Sequence, residues 1–303
     1  MTGLSGNILI TGGTGTLGHA VVRTARAEGW DCRITIYSRS ELRQAHMRQH
    51  YGDLRYVLGD VRDYERLAAA MVGHDLVVHA AAVKRIPEAE QQPVNCYETN
   101  IIGSANVARA AWAAGVRRVV GISTDKACRA VTAYGASKLA MEKLFLAQPL
   151  GGPVFTLCRY GNVVASNGSV IPLWRQQAAD GKALTVTSKG ATRFWMGETE
   201  AVRVIEHAAE MGHGTITVPK MRSLSMAELA EIVAPGAPMH VIGFRSIEKQ
   251  HEDLVSEDEV SADTFSHYIL GTGTPGLKYT SYNAPRLTPA AFRSMLSEAE
   301  AHE

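Results

Sequence analysis

Between Gly121 and Lys138 the chain reads GISTDKACRAVTAYGASK. Ser123, Thr124, Asp125 and Lys126 stand side by side, and Tyr134 and Lys138 follow. The run AYGASKLAMEKLFLA predicts a helix, and Tyr134 and Lys138, four residues apart, share one of its faces. A phenol beside an ammonium can take the proton of an alcohol and return it. Its free pKa is about 10, and a neighbouring positive charge favours the phenolate. The same spacing also describes a solvated pair on a surface helix, so the surrounding elements must decide.

Those elements are a series of strands and helices. Asn7 to Thr11 (NILIT) is an apolar run fit for a buried parallel strand. It leads into TGGTGTLG, with Gly12, Gly15 and Gly18 at three-residue spacing and Thr14, Thr16 and Leu17 between them. His19 to Glu28 then predicts a helix ending at Gly29. In the order strand, glycine turn, helix, the backbone can approach a pyrophosphate and the helix N-terminus favours its charge. A second strand, Arg33 to Tyr37, ends in Ser38-Arg39-Ser40. An acidic residue at about this position would bond a ribose 2′-hydroxyl, but Ser38 is neutral and Arg39 can hold a 2′-phosphate. The expected cofactor is therefore NADP rather than NAD.

A third strand, Arg55 to Leu58, ends at Gly59-Asp60-Val61, where the aspartate can meet an adenine amino group. A fourth, Asp75 to Ala82, ends in Ala80, Ala81 and Ala82, small enough for a flat ring to approach. Lys84 follows, able to reach cofactor or substrate, or to stay solvated. Asn100 to Ala114 predicts a helix with Gly115 just beyond it, and Val116 to Ser123 a fifth strand that delivers the opening stretch. Alternating strands and helices predict an α/β fold, a Rossmann-type doubly wound parallel sheet. Ligands then lie outside the carboxyl ends of the strands, where these residues fall.

Composition narrows the function classes. The 303 residues are 46% hydrophobic and 20% charged, enough for a sizeable core, with a net charge of +1 that favours neither nucleic acid nor a membrane surface. Cys32, Cys96, Cys128 and Cys158 have no CxxC spacing, which points to a reduced, cytoplasmic setting. No apolar run approaches the ~20 residues of a membrane span. MTGLSGN lacks the features of a signal peptide. His251-Glu252-Asp253 has ligand-type residues but no second group to complete a metal site, so no metal is assigned.

The TGGTGxxG turn, the AAAVK segment and the Ser-Thr…YxxxK set resemble the extended short-chain dehydrogenase/reductases. STDKA, AYGASK, RYGNVVASNGSVIP, TRFWM and EKQHEDLVSEDE resemble, more narrowly, the soluble NADP-dependent UDP-N-acetylglucosamine 4,6-dehydratases that invert carbon 5. That wider group includes polysaccharide-biosynthesis proteins. The resemblance runs from about Ile8 to Asn283 and departs at Ser40, at Ala130-Val131 and at Ser246-Ile247. It implies an NADP-binding domain over residues 1–165 and a smaller α/β substrate region over 166–303, interleaved through strands near 205–245. It implies a UDP-sugar substrate met by Lys84, Asn162, Arg193, Arg245 and Glu248, and a homo-oligomer, dimer or hexamer.

The resemblance also assigns roles. Tyr134 takes the proton of the sugar 4-hydroxyl, Lys138 lowers its pKa and anchors the nicotinamide ribose, and Thr124, with Ser123 as the second choice, holds the same hydroxyl. Lys126 takes the proton on carbon 5, and Asp125 donates one to the departing 6-hydroxyl. Lys126 must then be neutral and Asp125 protonated, and burial is expected to push both that way. Neighbours in a strand face opposite ways, so both reach the sugar only if the chain has left the strand by Asp125. Competing readings are a UDP-hexose 4-epimerase, which needs only the Tyr134 chemistry, and a non-catalytic NADP-binding regulator.

Overall fold

The computed structural model describes residues 3–164, 166, 169–244 and 247–301. Arg245 lies outside them. Six strands run through the first half: β1 (Gly6–Thr11), β2 (Cys32–Ser38), β3 (Arg55–Leu58), β4 (Leu76–His79), β5 (Arg118–Thr124) and β6 (Val154–Tyr160). The second half adds β7 (Asn162–Val163), β8 (Leu184–Val186), β9 (Thr192–Met196), β10 (Thr215–Pro219) and β11 (Arg222–Ser225). It continues with β12 (Met239–Val241), β13 (Asp253–Val255), β14 (Ser261–Asp263), β15 (His267–Leu270) and β16 (Tyr279–Thr280). The helices are α1 (Thr16–Ala27), α2 (Glu41–His50), α3 (Tyr64–Met71), α4 (Ile86–Gln91), α5 (Pro93–Tyr97) and α6 (Gly103–Ala114). After them come α7 (Ala133–Leu146), α8 (Val170–Ala179), α9 (Glu198–Glu210), α10 (Met226–Val233) and α11 (Pro289–Glu300).

Among the described residues nine strands form one sheet in the order β14-β15-β10-β6-β5-β4-β1-β2-β3. From β3 to β10 every pairing is parallel, and β15 and β14 close the far edge antiparallel. Ile8, Leu9 and Ile10 are fully buried, as a strand covered on both faces requires. α1 packs with α9 on the sheet, and α3 with α6. The fold is the expected doubly wound α/β arrangement. Two of its strands come from beyond residue 250, outside the 205–245 window in which the two halves were expected to interleave.

A second core lies over the carboxyl ends of the sheet. Trp174, Leu184, Trp195, Leu224, Leu229 and Phe292 form its centre. It joins α8, α10 and α11 to the small sheets β11-β9-β7 and β12-β8. α10 starts with a capping box between Ser225 and Glu228. No helix among the described residues is long and apolar enough to cross a membrane.

Two elements differ from the sequence expectation in ways that matter for the site. The helix expected from Asn100 opens with a π-helical turn, Glu98–Ile102. Such a turn re-aims side chains. Here the Asn100 amide accepts from Val83 N (2.8 Å) and donates to Val83 O (2.9 Å) and Ser137 Oγ (2.9 Å). It ties the segment after β4 to α7. The fourth strand ends at His79 instead of Ala82, so Ala80–Ala82 leave the sheet and turn toward the cleft.

Candidate active site

An open cavity of about 1050 Å³ lies across the carboxyl ends of β1, β2, β4 and β5, roofed by the second core. That is at the upper end of the ~300–1,000 Å³ typical of ligand sites. Its floor at one end is the glycine turn, where Gly12, Thr14, Gly15, Thr16 and Leu17 line the wall. Gly12 has φ +68, and a Cβ on it would fall 2.8 Å from the Ala81 backbone. Only glycine fits that approach. Gly15 caps α1 without any side-chain hydrogen bond, and no acidic residue sits in the first turn. The leading N–H groups thus face the cavity uncapped, as a dinucleotide pyrophosphate requires.

Ser38, Arg39, Val61, Ala80, Ala81, Ala82 and Lys84 continue this end of the wall. Asp60 does not. Its carboxylate takes the Arg62 guanidinium at 2.8 Å and lies 3.6 Å from Arg39, and it is held ionised chiefly by the Arg62 hydrogen bonds against its own partial burial. Sequence reasoning missed Arg43, which lines the same end from the first turn of α2. The available signal was Ser40, whose hydroxyl accepts from Arg43 N and starts the helix there. Desolvation in the wall, and then the Arg43 charge, lowers the pKa of Lys84.

The reacting end is built on the close of β5. The strand stops at Thr124, and Ala127 N returns to Thr124 O at 3.0 Å in a tight turn. This frees the next two residues from strand alternation. Lys126 enters the cavity wall. Asp125 instead goes fully beneath it, with Gly161 and Phe194 above. Asp125 Oδ1 accepts from Thr124 Oγ1 at 2.9 Å and from Lys126 Nζ at 2.8 Å. The chain has left the strand by Asp125, as the joint role required, and in the ligand-free cavity Asp125 is reached through Thr124 and Lys126.

The expected effect of burial on Lys126 is present but outweighed. Burial pulls the Lys126 pKa down, but the Asp125 and Glu252 carboxylates outweigh it, and the net shift is upward. Without a ligand the two carboxylates thus favour the charged form of Lys126, whose Nζ lies 2.8 Å from Asp125 Oδ1.

α7 places Tyr134 and Lys138 in the same wall. Thr132 caps the helix by accepting from Gly135 N at 2.9 Å. Burial pushes the Tyr134 phenol up to about 12, and the cation that most opposes it is Lys126, followed by the Thr124 hydroxyl. Lys138 was expected to play that part. It is itself drawn down to about 8 by burial, with Glu142 opposing.

Asn162, Arg193 and Glu248 line the opposite end. Asn162 Nδ2 donates to Phe194 O at 3.0 Å. Arg193 donates to the carbonyls of Thr192 (2.7 Å), Lys249 (3.0 Å) and Gln250 (3.2 Å). Two of these bonds brace the loop that carries Glu248. Glu252 also lines the cavity and was missed, because His251-Glu252-Asp253 was weighed only as a metal cluster.

The polysaccharide biosynthesis protein family model matches residues 8–272. The chain is 43% identical over 283 residues to the inverting UDP-N-acetylglucosamine 4,6-dehydratase of Campylobacter jejuni subsp. jejuni serotype O:2, spanning 90% of this chain and 84% of that one. It is 39% identical over 291 residues to the UDP-glucose 4-epimerase of Rickettsia conorii, spanning 91% and 85%. The X-ray structure of Pen from Bacillus thuringiensis superposes with a TM-score of 0.89 over 99% of each chain, at 29% identity. The family match takes in the whole cavity wall, from Gly12 to Glu252. By sequence over most of its length, and with its site inside the matched span, the chain belongs to the polysaccharide biosynthesis protein family.

Proposed function

We propose that the protein is an NADP-dependent UDP-sugar 4,6-dehydratase that acts on UDP-N-acetylglucosamine and inverts carbon 5. The observation that carries this reading is Lys126, a second acid/base group in the same wall as Tyr134 and paired with a buried carboxylate. Oxidation at carbon 4 alone needs only the tyrosine. The 43% identity to the Campylobacter enzyme of that activity supports the substrate.

A bound dinucleotide supplies hydride exchange, taking from carbon 4 and giving back at carbon 6. Gly12 and Gly15 hold its pyrophosphate, Arg39 and Arg43 its 2′-phosphate, and Lys138 its nicotinamide ribose. Tyr134 takes the proton of the 4-hydroxyl, steadied by Thr124. The 4-ketone makes the hydrogen on carbon 5 acidic. A sugar in the cavity excludes water from the Asp125–Lys126 pair. In a drier site the neutral pair gains on the ion pair. The proton then crosses the 2.8 Å from Lys126 to Asp125, leaving an amine and a carboxylic acid. The amine takes the carbon 5 proton, and the pair returns one proton to the 6-hydroxyl, which leaves as water. As carbon 6 receives hydride, a solvent-exchangeable proton, balanced by the one Tyr134 took from the 4-hydroxyl, is added back to carbon 5 from the opposite face, which inverts it. Lys84, Asn162 and Glu248 bind the UDP-sugar, with Arg193 bracing the loop that carries Glu248. Arg245 is assigned to the diphosphate on the family resemblance alone.

The test is incubation with UDP-N-acetylglucosamine and NADP in heavy water. The expected product has lost one water, carries deuterium at carbon 5 and has the L-configuration. The second reading, a UDP-hexose 4-epimerase, draws on the 39% identity to the Rickettsia protein. It predicts a product with the mass of its substrate. Light scattering tests the accompanying proposal of a dimer or hexamer.

A further inference from the structure

We propose that Glu252 is the positioning residue for Lys126: together with Asp125 it brackets the amine, fixing where the nitrogen points and how readily it gives up its proton. The inference rests on the reading of Lys126 as the base at carbon 5.

Glu252 is 5% exposed and stands in the cavity wall. Its backbone is held on both sides, Glu252 N donating to Ser281 Oγ at 2.9 Å and Ser281 N to Glu252 O at 2.8 Å. Oε1 lies 3.8 Å from Lys126 Nζ and 3.8 Å from Arg193 Nε. Oε2 is sealed from solvent and receives no hydrogen bond among the described residues. The ammonium nearest to Oε2, that of Lys249, is 3.9 Å away and is engaged by Cys128 O at 2.7 Å and Asp253 at 3.5 Å.

A sealed carboxylate with an unfilled oxygen is costly unless a cation is held for it. Nothing in packing demands an acid at this place. What it does is draw Lys126 toward the cavity, against the pull of Asp125 from below. Distances of this kind tighten when a site fills. The charged and titratable groups that face the Lys126–Glu252 pair are Asp125 on the turn, Tyr134 on α7, Arg193 on β9, and Lys249 and Asp253 on the segment carrying Glu252. The His251 ring is turned away, onto Thr192. Glu252 therefore couples the substrate loop, through Arg193 and Lys249, to the base.

Glu252→Gln keeps the shape and removes the charge. In the full chain with NADP and UDP-N-acetylglucosamine, the plateau of kcat for water loss is expected to fall about tenfold. The acidic limb of its pH profile moves to lower pH by about one unit, because the amine sheds its proton more easily. The burst of reduced nicotinamide, which reports carbon 4 oxidation, stays within about threefold. Glu252→Asp keeps the charge but withdraws it, so the limb stays near the wild-type position and the plateau still falls. A second readout needs no turnover: the pH dependence of Lys126 acylation by acetic anhydride, followed by mass spectrometry, shifts to lower pH in Glu252→Gln. Superimposable pH profiles and acylation curves overturn the proposal, and so does an equal loss of carbon 4 oxidation. If the wild type releases no water from the sugar, the dehydratase reading fails instead, and the acylation curves alone decide on Glu252.

Discussion

Gly135 lies directly against the backbone carbonyl of Lys126. A Cβ at Gly135 would fall 2.3 Å from that oxygen. α7, which carries Tyr134, is thereby seated on the turn that carries Lys126. The two groups keep one fixed spacing because nothing larger than hydrogen fits between their backbones. Gly135→Ala should overpack this contact by about 1–3 kcal/mol. We expect a melting temperature lower by several degrees and a rate of product formation at least tenfold lower. An unchanged melting point and rate would show that the helix can shift without cost.

The roles proposed for Tyr134 and Lys126 separate into two stages. Removing a positioned acid/base costs about 10²–10⁴ in rate. Tyr134→Phe should suppress carbon 4 oxidation by that factor and everything after it. Lys126→Met should stop water loss and deuterium uptake at carbon 5 while slowing transient nicotinamide reduction only in part, the part that comes from losing the cation that favours the Tyr134 phenolate. Stopped-flow absorbance with product mass spectrometry separates the two. Equal loss of both stages in Lys126→Met would count against its role at carbon 5.

Arg39 and Arg43 line the cavity beyond the end of β2. A hydrogen bond to a charged group contributes about 1.5–3 kcal/mol. Arg39→Ala and Arg43→Ala should each weaken NADP binding by about tenfold or more while NAD binding changes little. Fluorescence titration with both dinucleotides checks this. Parallel losses for the two would remove the argument for a 2′-phosphate.

Arg159 is fully buried and pairs with Glu142 at 2.7 Å and Glu259 at 2.7 Å. Glu142 also accepts from Ser123 Oγ at 2.5 Å. The cluster fastens β6 and α7 to the segment after β13, behind the catalytic turn. Breaking a buried pair from one side costs about 3–5 kcal/mol because the other charge stays buried. Arg159→Met should lower stability by that order in denaturant titration. A variant as stable as the wild type would show that the Arg159 cluster does not fasten these elements.

His79 is fully buried between Thr11 Oγ1 (2.8 Å) and Ser104 Oγ (2.9 Å). Burial, and then the Lys138 charge, lowers its pKa from 6.5 to about 3. Between those values the unfolded chain binds a proton that the native state refuses. Stability is therefore complete above pH 6.5 and is lost as pH falls toward 3, at about 1.4 kcal/mol per unit. His79→Gln should flatten the decline of melting temperature over this window. His19, His74 and His267, also lowered chiefly by burial, leave a residual slope. Identical slopes would place the acid sensitivity elsewhere.

Much of the architecture could be read from local pattern. NILIT, the glycine turn and the αL cap at Gly115 each follow from what one short stretch must do with its backbone. The end of β5 at Thr124 was legible only as a condition, since a strand boundary depends on its neighbour as well as on itself. Asn100 carried no signal. A buried asparagine in a helical pattern gains meaning only when Val83 and Ser137 come to its amide. That Arg62, two residues on, turns back onto Asp60 could not be read from the run GDVR alone.

Periodicity and glycine placement settled the sheet, the cofactor turn and the Tyr134–Lys138 face, because these depend on steric rules acting over a few residues. Charge did not follow the same rule. Whether Lys126 carries a proton depends on Asp125 beside it and on Glu252, which only folding brings to 3.8 Å. Electrostatic energy in a site that excludes water is set by distance in space, and the chain records distance only along itself.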